Sequence, residues 1–293
     1  MKRLSLSVAT RVVALVTALV VGPATLAPGT AEAPSAESAT VARAGDGTTA
    51  AQTYDWGVML WDFAWEFGES LDSPPYRGSD IGAGKWIDHS TGTGRAVKYG
   101  GGIEFHTGRY KTGSEDPDFG NTTLTLEEQP QNRGRWELRE RSQELETKYG
   151  SFTFAAELIP ADPADCGKWA ITIGRSEIGS GNITVGVTAG ATSWTKTLTG
   201  YGRGDTDGRL YGVQITRRRI TWFVNGKAVA SLGDTAAVPK VPMTVRMSVV
   251  GKGTTNLNAS VAKIDWVRAY DLTRGTRPPA GAKLTKGSTT PGC

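Results

Sequence analysis

The chain has 293 residues, including 38 glycines and 14 prolines, with 38% hydrophobic and 8% aromatic content; this composition disfavours a disordered chain, a helix bundle and a coiled coil. The formal charge of +4 is unevenly spread: Lys2, Arg3 and Arg11 precede the first acid, Glu32, and losing those three bases takes +4 to +1. The remainder is close to neutral with no basic stripe for phosphates, so no nucleic-acid partner is expected.

Residues 1–31 have the order of a secretory signal: Lys2 and Arg3, the apolar stretch from Val12 to Val21, then small residues up to Ala31. The stretch is shorter than the roughly 20 residues of a membrane span. An exported protein without a membrane span is therefore expected, with cleavage after Ala31. Residues 32–53 show no periodicity and read as a flexible linker. Residues 54–272 have strand-like patterning, and 273–293 read as an irregular tail ending in Cys293.

Within 54–272, Arg135-Trp136-Glu137-Leu138-Arg139-Glu140 alternates, putting Trp136 and Leu138 on one face and Glu137 and Arg139 on the other. Phe152, Phe154, Ala156 and Leu158 alternate with smaller or polar residues until Pro160. Ile171/Ile173, Ile183/Val185/Val187 and Val245/Met247/Val249 repeat the pattern, as does the run from Ala259 to Tyr270. Residues 220–224 and 227–230 flank Asn225-Gly226, the strongest short signal for a two-residue hairpin. Many short strands with glycine turns predict an all-β sandwich or jelly roll. Glu137 and Arg139 pair a carboxylate with a guanidinium near aromatic rings, a combination suited to sugar hydroxyls; an exposed, salt-bridged strand face is the alternative. Cys166 and Cys293 make an even count in an oxidising compartment, which predicts a bridge between them worth roughly 4–5 kcal/mol on the loop-entropy model; unpaired thiols or a bridge between chains are the alternatives. His89 and His106 show no metal-ligand spacing with the cysteines.

Taken in order, several segments resemble glycoside hydrolase family 16, the β-glucanase, laminarinase and carrageenase relatives. They are Trp-Glu-Leu-Arg at 136–139, Lys148 to Phe154 leading to Leu158-Ile159-Pro160, Gly167-Lys168-Trp169, Tyr211 to Thr216 with Arg219 to Gly226, and Ile264 to Tyr270. Residues 61–67 resemble the family's opening strand more loosely. The resemblance implies a concanavalin A-like jelly roll of two curved antiparallel sheets, with a β-linked polysaccharide as partner in a concave groove. It implies that Glu137 and Arg139 contact sugar and that Trp169 is a stacking residue. On residue type alone, Trp194 and Tyr201 join it. A structural calcium is compatible with the family, with Asp265 as a contributor; no other cofactor is implied, and a monomer is expected.

Family members hydrolyse with retention, using Glu-x-Asp-x-x-Glu on one strand. If Glu177 opens that motif here, Gly179 stands where the Asp belongs and Asn182 where the acid/base belongs. Retention needs two carboxyls about 5–5.5 Å apart, and the sequence does not supply both. The expectation is a secreted glycan-recognising protein whose hydrolytic pair is incomplete. The alternatives are an active retaining endo-β-glycanase with Glu177 as nucleophile and an acid displaced to another segment, such as Glu137 or Glu157, a polysaccharide lyase, and a non-catalytic scaffold that binds protein.

Overall fold

The computed structural model describes residues 48–65, 85–107, 120–201, 208–251, 257–273 and 285–286. The expected signal segment, Cys293, and Glu66 and Phe67 of the opening segment lie outside them. Almost all of the regular structure is β. The strands are β1 (Met59–Ala64), β2 (Lys85–Asp88), β3 (Arg95–Tyr99), β4 (Gly102–His106), β5 (Thr122–Glu127), β6 (Gly134–Glu144), β7 (Thr153–Pro160), β8 (Trp169–Glu177), β9 (Ile183–Ala189), β10 (Thr192–Leu198), β11 (Arg209–Ile215), β12 (Ile220–Val224), β13 (Lys227–Leu232), β14 (Met243–Val250), β15 (Ser260–Tyr270) and β16 (Thr285–Lys286).

Two antiparallel sheets form a jelly-roll sandwich. The first runs β13-β12-β11-β6-β15-β4-β3, with β1 also pairing β15; the second runs β16-β10-β9-β8-β7-β14-β5-β2. The alternation of apolar residues builds both inner faces. Phe154, Ala156 and Leu158 of β7 and Val245, Met247 and Val249 of β14 meet Trp136 and Leu138 of β6 and Val213 of β11 in one core. Burying each of the larger side chains contributes roughly 1.5–3 kcal/mol. Trp61, Phe63, Trp65 and Trp86 extend that core, with Phe63 edge-on to Trp86 at 5.4 Å. Trp222 ties the layers together, its indole N–H donating to the carbonyl of Thr172 at 2.9 Å.

The Asn225-Gly226 hairpin forms between β12 and β13, with φ of 47° and 72°, the positive values that a tight hairpin turn of this kind requires. β8 carries a bulge: its register with β7 shifts between Ala156 and Glu157, and with β9 between Thr172 and Arg175. Ile173 and Gly174 therefore both face inward, and a side chain on Gly174 would run into the Tyr211 ring. Beyond the bulge Arg175 and Glu177 point out, while Ser176 and Ile178 are buried.

Two expectations are corrected at the ends of the domain. The last residues of the expected linker, 48–53, are folded: Ala50–Thr53 forms the single-turn helix α1, with a reciprocal capping box between Thr49 and Gln52. So short a helix is not stable alone; packing against the first sheet holds it. Trp56 sits edge-on to Phe223 at 5.3 Å and to Tyr270 at 5.5 Å, and the Tyr54 hydroxyl accepts from the Ala228 N–H. The tail is not wholly irregular either, because Thr285 and Lys286 return as β16 beside β10, with Lys286 opposite Thr192.

Candidate functional site

The outward face of the second sheet is polar, built from the residues that alternate with its core. β9 and β10 contribute Thr184, Thr188, Thr195 and Thr197, and β8 contributes Thr172. Thr184 and Thr197 face one another across the strand pair, their hydroxyl oxygens 3.3 Å apart. At its centre Glu157 of β7 lies between two arginines, one on each neighbouring strand. Arg175 donates to Oε1 and Arg246 donates to Oε2, both at 2.8 Å. The Arg175 side chain is 49% exposed against 17% for Arg246, so Arg175 is the more accessible cation. Each carboxylate oxygen thus receives a charge-assisted bond.

Glu177 is exposed on this same face, opposite Thr153. Glu157 lies four residues farther along β7 than Thr153, about 13 Å at roughly 3.3 Å per residue. That exceeds the spacing of about 5–5.5 Å for retention and of about 6.5–9.5 Å for inversion. Glu157 is also committed to its two arginines. Asn182, at the position of the expected acid/base, is exposed and its backbone N–H donates to Ser180; its amide has no acidic proton to give.

Glu137 and Arg139 are placed differently from expectation. They face outward from β6 in the first sheet, as the alternation predicts, but that face is covered at Glu137. Glu137 is 1% exposed, and its Oε1 accepts the backbone N–H of Ala50, at the start of α1, at 2.5 Å. Burial pushes the Glu137 carboxyl up to about 7 against the pull of the Ala50 and Ala51 amides and of Arg268. Glu137 is an anchor for the incoming chain and is closed to a saccharide. Arg139 lies 3.5 Å from Asp265, which Arg141 also engages at 2.6 Å. Two guanidiniums on one carboxylate oppose a calcium ion there, and among the described residues no group of three metal-ligating side chains occurs.

The aromatic candidates also turn toward the interior. Trp169, Trp194 and Tyr201 are half-buried and pack against the main core. Trp194 lies 5.1 Å from Trp222 of the opposite sheet. Trp169 shares its face with Ile171 and Ile173, so the same period of two that revealed the strand also fixes this orientation. The Arg175-Glu157-Arg246 row escaped the sequence reading because its members come from three strands. Cys166 closes the short turn of residues 163–165 ahead of β8.

A second charged cluster lies inside the sandwich. Glu140 of β6 faces inward opposite Arg209 of β11, beside Tyr211 and Ser142. Both Glu140 and Arg209 are almost fully buried. Burial raises the Glu140 carboxyl to about 7, partly offset by Ser142 and Arg209.

Comparison with solved structures gives the same architecture. The laminarinase of Rhodothermus marinus matches with a TM-score of 0.58 at 15% identity, covering 74% of this chain and 97% of that one. LamA of Zobellia galactanivorans, solved with laminaritriose and laminaritetraose, matches with a TM-score of 0.55 at 11% identity, over 74% and 100%. The non-specific endo-β-1,3(4)-glucanase SCLam of family GH16 matches at 0.56 and 13%, over 73% and 91%. No family model and no curated protein matches the sequence. The chain thus has the fold of the family 16 laminarinases and glucanases.

Proposed function

We propose that this is an exported protein that recognises a β-linked polysaccharide on the outward face of its second sheet and leaves the glycosidic bonds intact. The laminarinase-like fold and the order of charged, apolar and small residues in 1–31 support the setting. The observation that carries the reading is the carboxylate spacing. Glu177 stands apart from Glu157, and Glu157 is held by Arg175 and Arg246. Threonine hydroxyls, a half-exposed guanidinium and the Glu177 carboxylate are groups that donate to and accept from sugar hydroxyls. With no aromatic platform on this face among the described residues, recognition rests on hydrogen bonds rather than ring stacking.

Affinity electrophoresis in laminarin, lichenan and agarose, run beside reducing-sugar release from the same neutral glycans, tests the reading. Retardation without release is expected, and the double substitution Arg175→Ala/Glu177→Ala should weaken it. Sugar release lost in Glu177→Gln would replace the reading with an active glycanase. Unsaturated, ultraviolet-absorbing ends released from alginate, whose uronate carboxylates such elimination requires, would replace it with a lyase, and no retardation in any glycan would remove the glycan altogether.

A further inference from the structure

The turn between β11 and β12 carries three consecutive arginines, Arg217, Arg218 and Arg219. It is closed by the Thr216 N–H donating to the Arg219 carbonyl at 2.9 Å and by the Thr216 hydroxyl donating to the same oxygen at 3.1 Å. Arg217 and Arg218 occupy its two central positions. Neither has a positive φ, so the turn asks for no special residue there, and glycine, asparagine or proline would ordinarily fill such positions. Ile215 pairs with Gly134, which brings Arg133, distant in sequence, to the adjacent strand end about 5 Å away. The bridge between Gln131 and Met243 brings the segment holding Lys240 to the same end.

Arg133, Arg217, Arg218 and Lys240 are exposed. The three arginines among them enter no ion pair among the described residues. Arg219 reaches the Ser231 hydroxyl at 3.3 Å. Acids lie at this end as well. Asp234 accepts the Ala236 N–H and Asp271 is taken by the amides of Val58 and Thr273 at the end of the first sheet, while Glu127, Glu128 and Asp162 are exposed on the second sheet's side, near Lys240. At the end of the first sheet the four arginines outnumber the two acids. Like charges packed this closely repel and do nothing for the fold, whereas a row of anionic groups would relieve them.

We infer that this arginine end is a docking surface for an anionic polysaccharide, one carrying sulfate or carboxylate groups, separate from the outward face of the second sheet. Guanidinium forks match both anions bidentately. A single-stranded nucleic acid would want aromatic rings for its bases, and Tyr99 is the exposed aromatic among the described residues, on β3 rather than at this turn.

The test measures binding of the full chain to immobilised dextran sulfate, polygalacturonate and uncharged dextran across a salt series, with duplex DNA as a fourth ligand. Binding to at least one of the two anionic polymers, absent on dextran and falling steeply with salt, is expected. Arg217→Ser/Arg218→Ser should weaken it roughly tenfold at low salt. Lys227→Ser, at the opposite end of β12, should leave it unchanged. Both sites are exposed, and circular dichroism and thermal melting verify that each variant folds. The inference is overturned if the parent protein binds neither anionic polymer, if the double variant binds like the parent, or if duplex DNA is bound more tightly than both. These outcomes are independent of retardation in neutral glycans, so this surface and the face of the second sheet fail or stand separately.

Discussion

The backbone N–H of Ala50 donates to the Glu137 carboxylate at 2.5 Å, joining the short helix α1 to the middle of a strand far along the sequence. Above about pH 7, where the buried Glu137 carboxyl is ionised, a single bond of this kind contributes roughly 1.5–3 kcal/mol. Thr49 has an extended backbone, with φ −76° and ψ 162°, compatible with a following proline. Ala50→Pro therefore removes one N–H with little conformational conflict. It should lower stability by about 2 kcal/mol, read by denaturant unfolding. A loss below a few tenths of a kcal/mol would show that α1 adds nothing there.

Glu137 and Glu140 both hold their protons up to about pH 7, against 4.5 for an ordinary glutamate. Between those values the folded protein binds protons that the unfolded chain has released. Stability therefore falls as pH rises from about 4.5 to about 7 and levels off above that. Each group accounts for a few kcal/mol of the fall by order of magnitude. Glu137→Gln keeps an acceptor for Ala50 while removing the buried charge, so it should flatten part of the slope and raise the melting temperature at pH 8. Glu140→Gln should flatten the other part of the slope, and because the pull of Arg209 is already contained in the net rise it too should raise the melting temperature at pH 8. Melting curves at pH 5, 6.5 and 8 check both; parallel pH profiles for parent and variants would refute the assignment.

Gly174 faces inward beside the bulge, where an added Cβ would overlap the Tyr211 ring. Gly174→Ala should cost about 1–3 kcal/mol, and a second change, Tyr211→Leu, should recover part of that loss. Additive losses in the double variant would mean that the two residues do not share this space.

The expected bridge between Cys166 and Cys293 is compatible with the strand order. Trp169, Ala189, Thr192 and Lys286 lie in register across four strands, a span of about 14 Å at roughly 4.8 Å per strand. The seven residues from Lys286 to Cys293 can reach about 23 Å when extended, enough to return to the turn before β8. Thiol titration of the unfolded, unreduced protein should find no free thiol, and reduction should cost about 4–5 kcal/mol. Two free thiols, or a covalent dimer, would exclude the intramolecular bridge.

Much of the sandwich was legible in the sequence because period-two alternation depends only on local geometry. Phe154, Ala156 and Leu158 read as a buried face, and the Asn225-Gly226 turn reads as a hairpin. What that pattern does not report is which layer or loop covers a polar face. Glu137 and Arg139 were correctly set opposite Trp136 and Leu138, but the cover came from Ala50, in a segment that looked featureless. A signal was present there, since Thr49-Ala-Ala-Gln52 is a capping box. The bulge at Ile173 and Gly174 was not visible, since both residues are small enough or apolar enough to suit either face. The charged row at Glu157 required strand order, which no local pattern supplies.

The short pairing of Thr285 and Lys286 with Thr192 and Ser193 has a consequence for solution behaviour. β10 would otherwise end the second sheet with a rim of unsatisfied main-chain groups open to a neighbouring molecule, and β16, with a lysine at that margin, covers part of it. A chain truncated before Thr285 should keep its sandwich yet self-associate as its concentration rises, visible as growing scattered light while the circular dichroism spectrum stays unchanged.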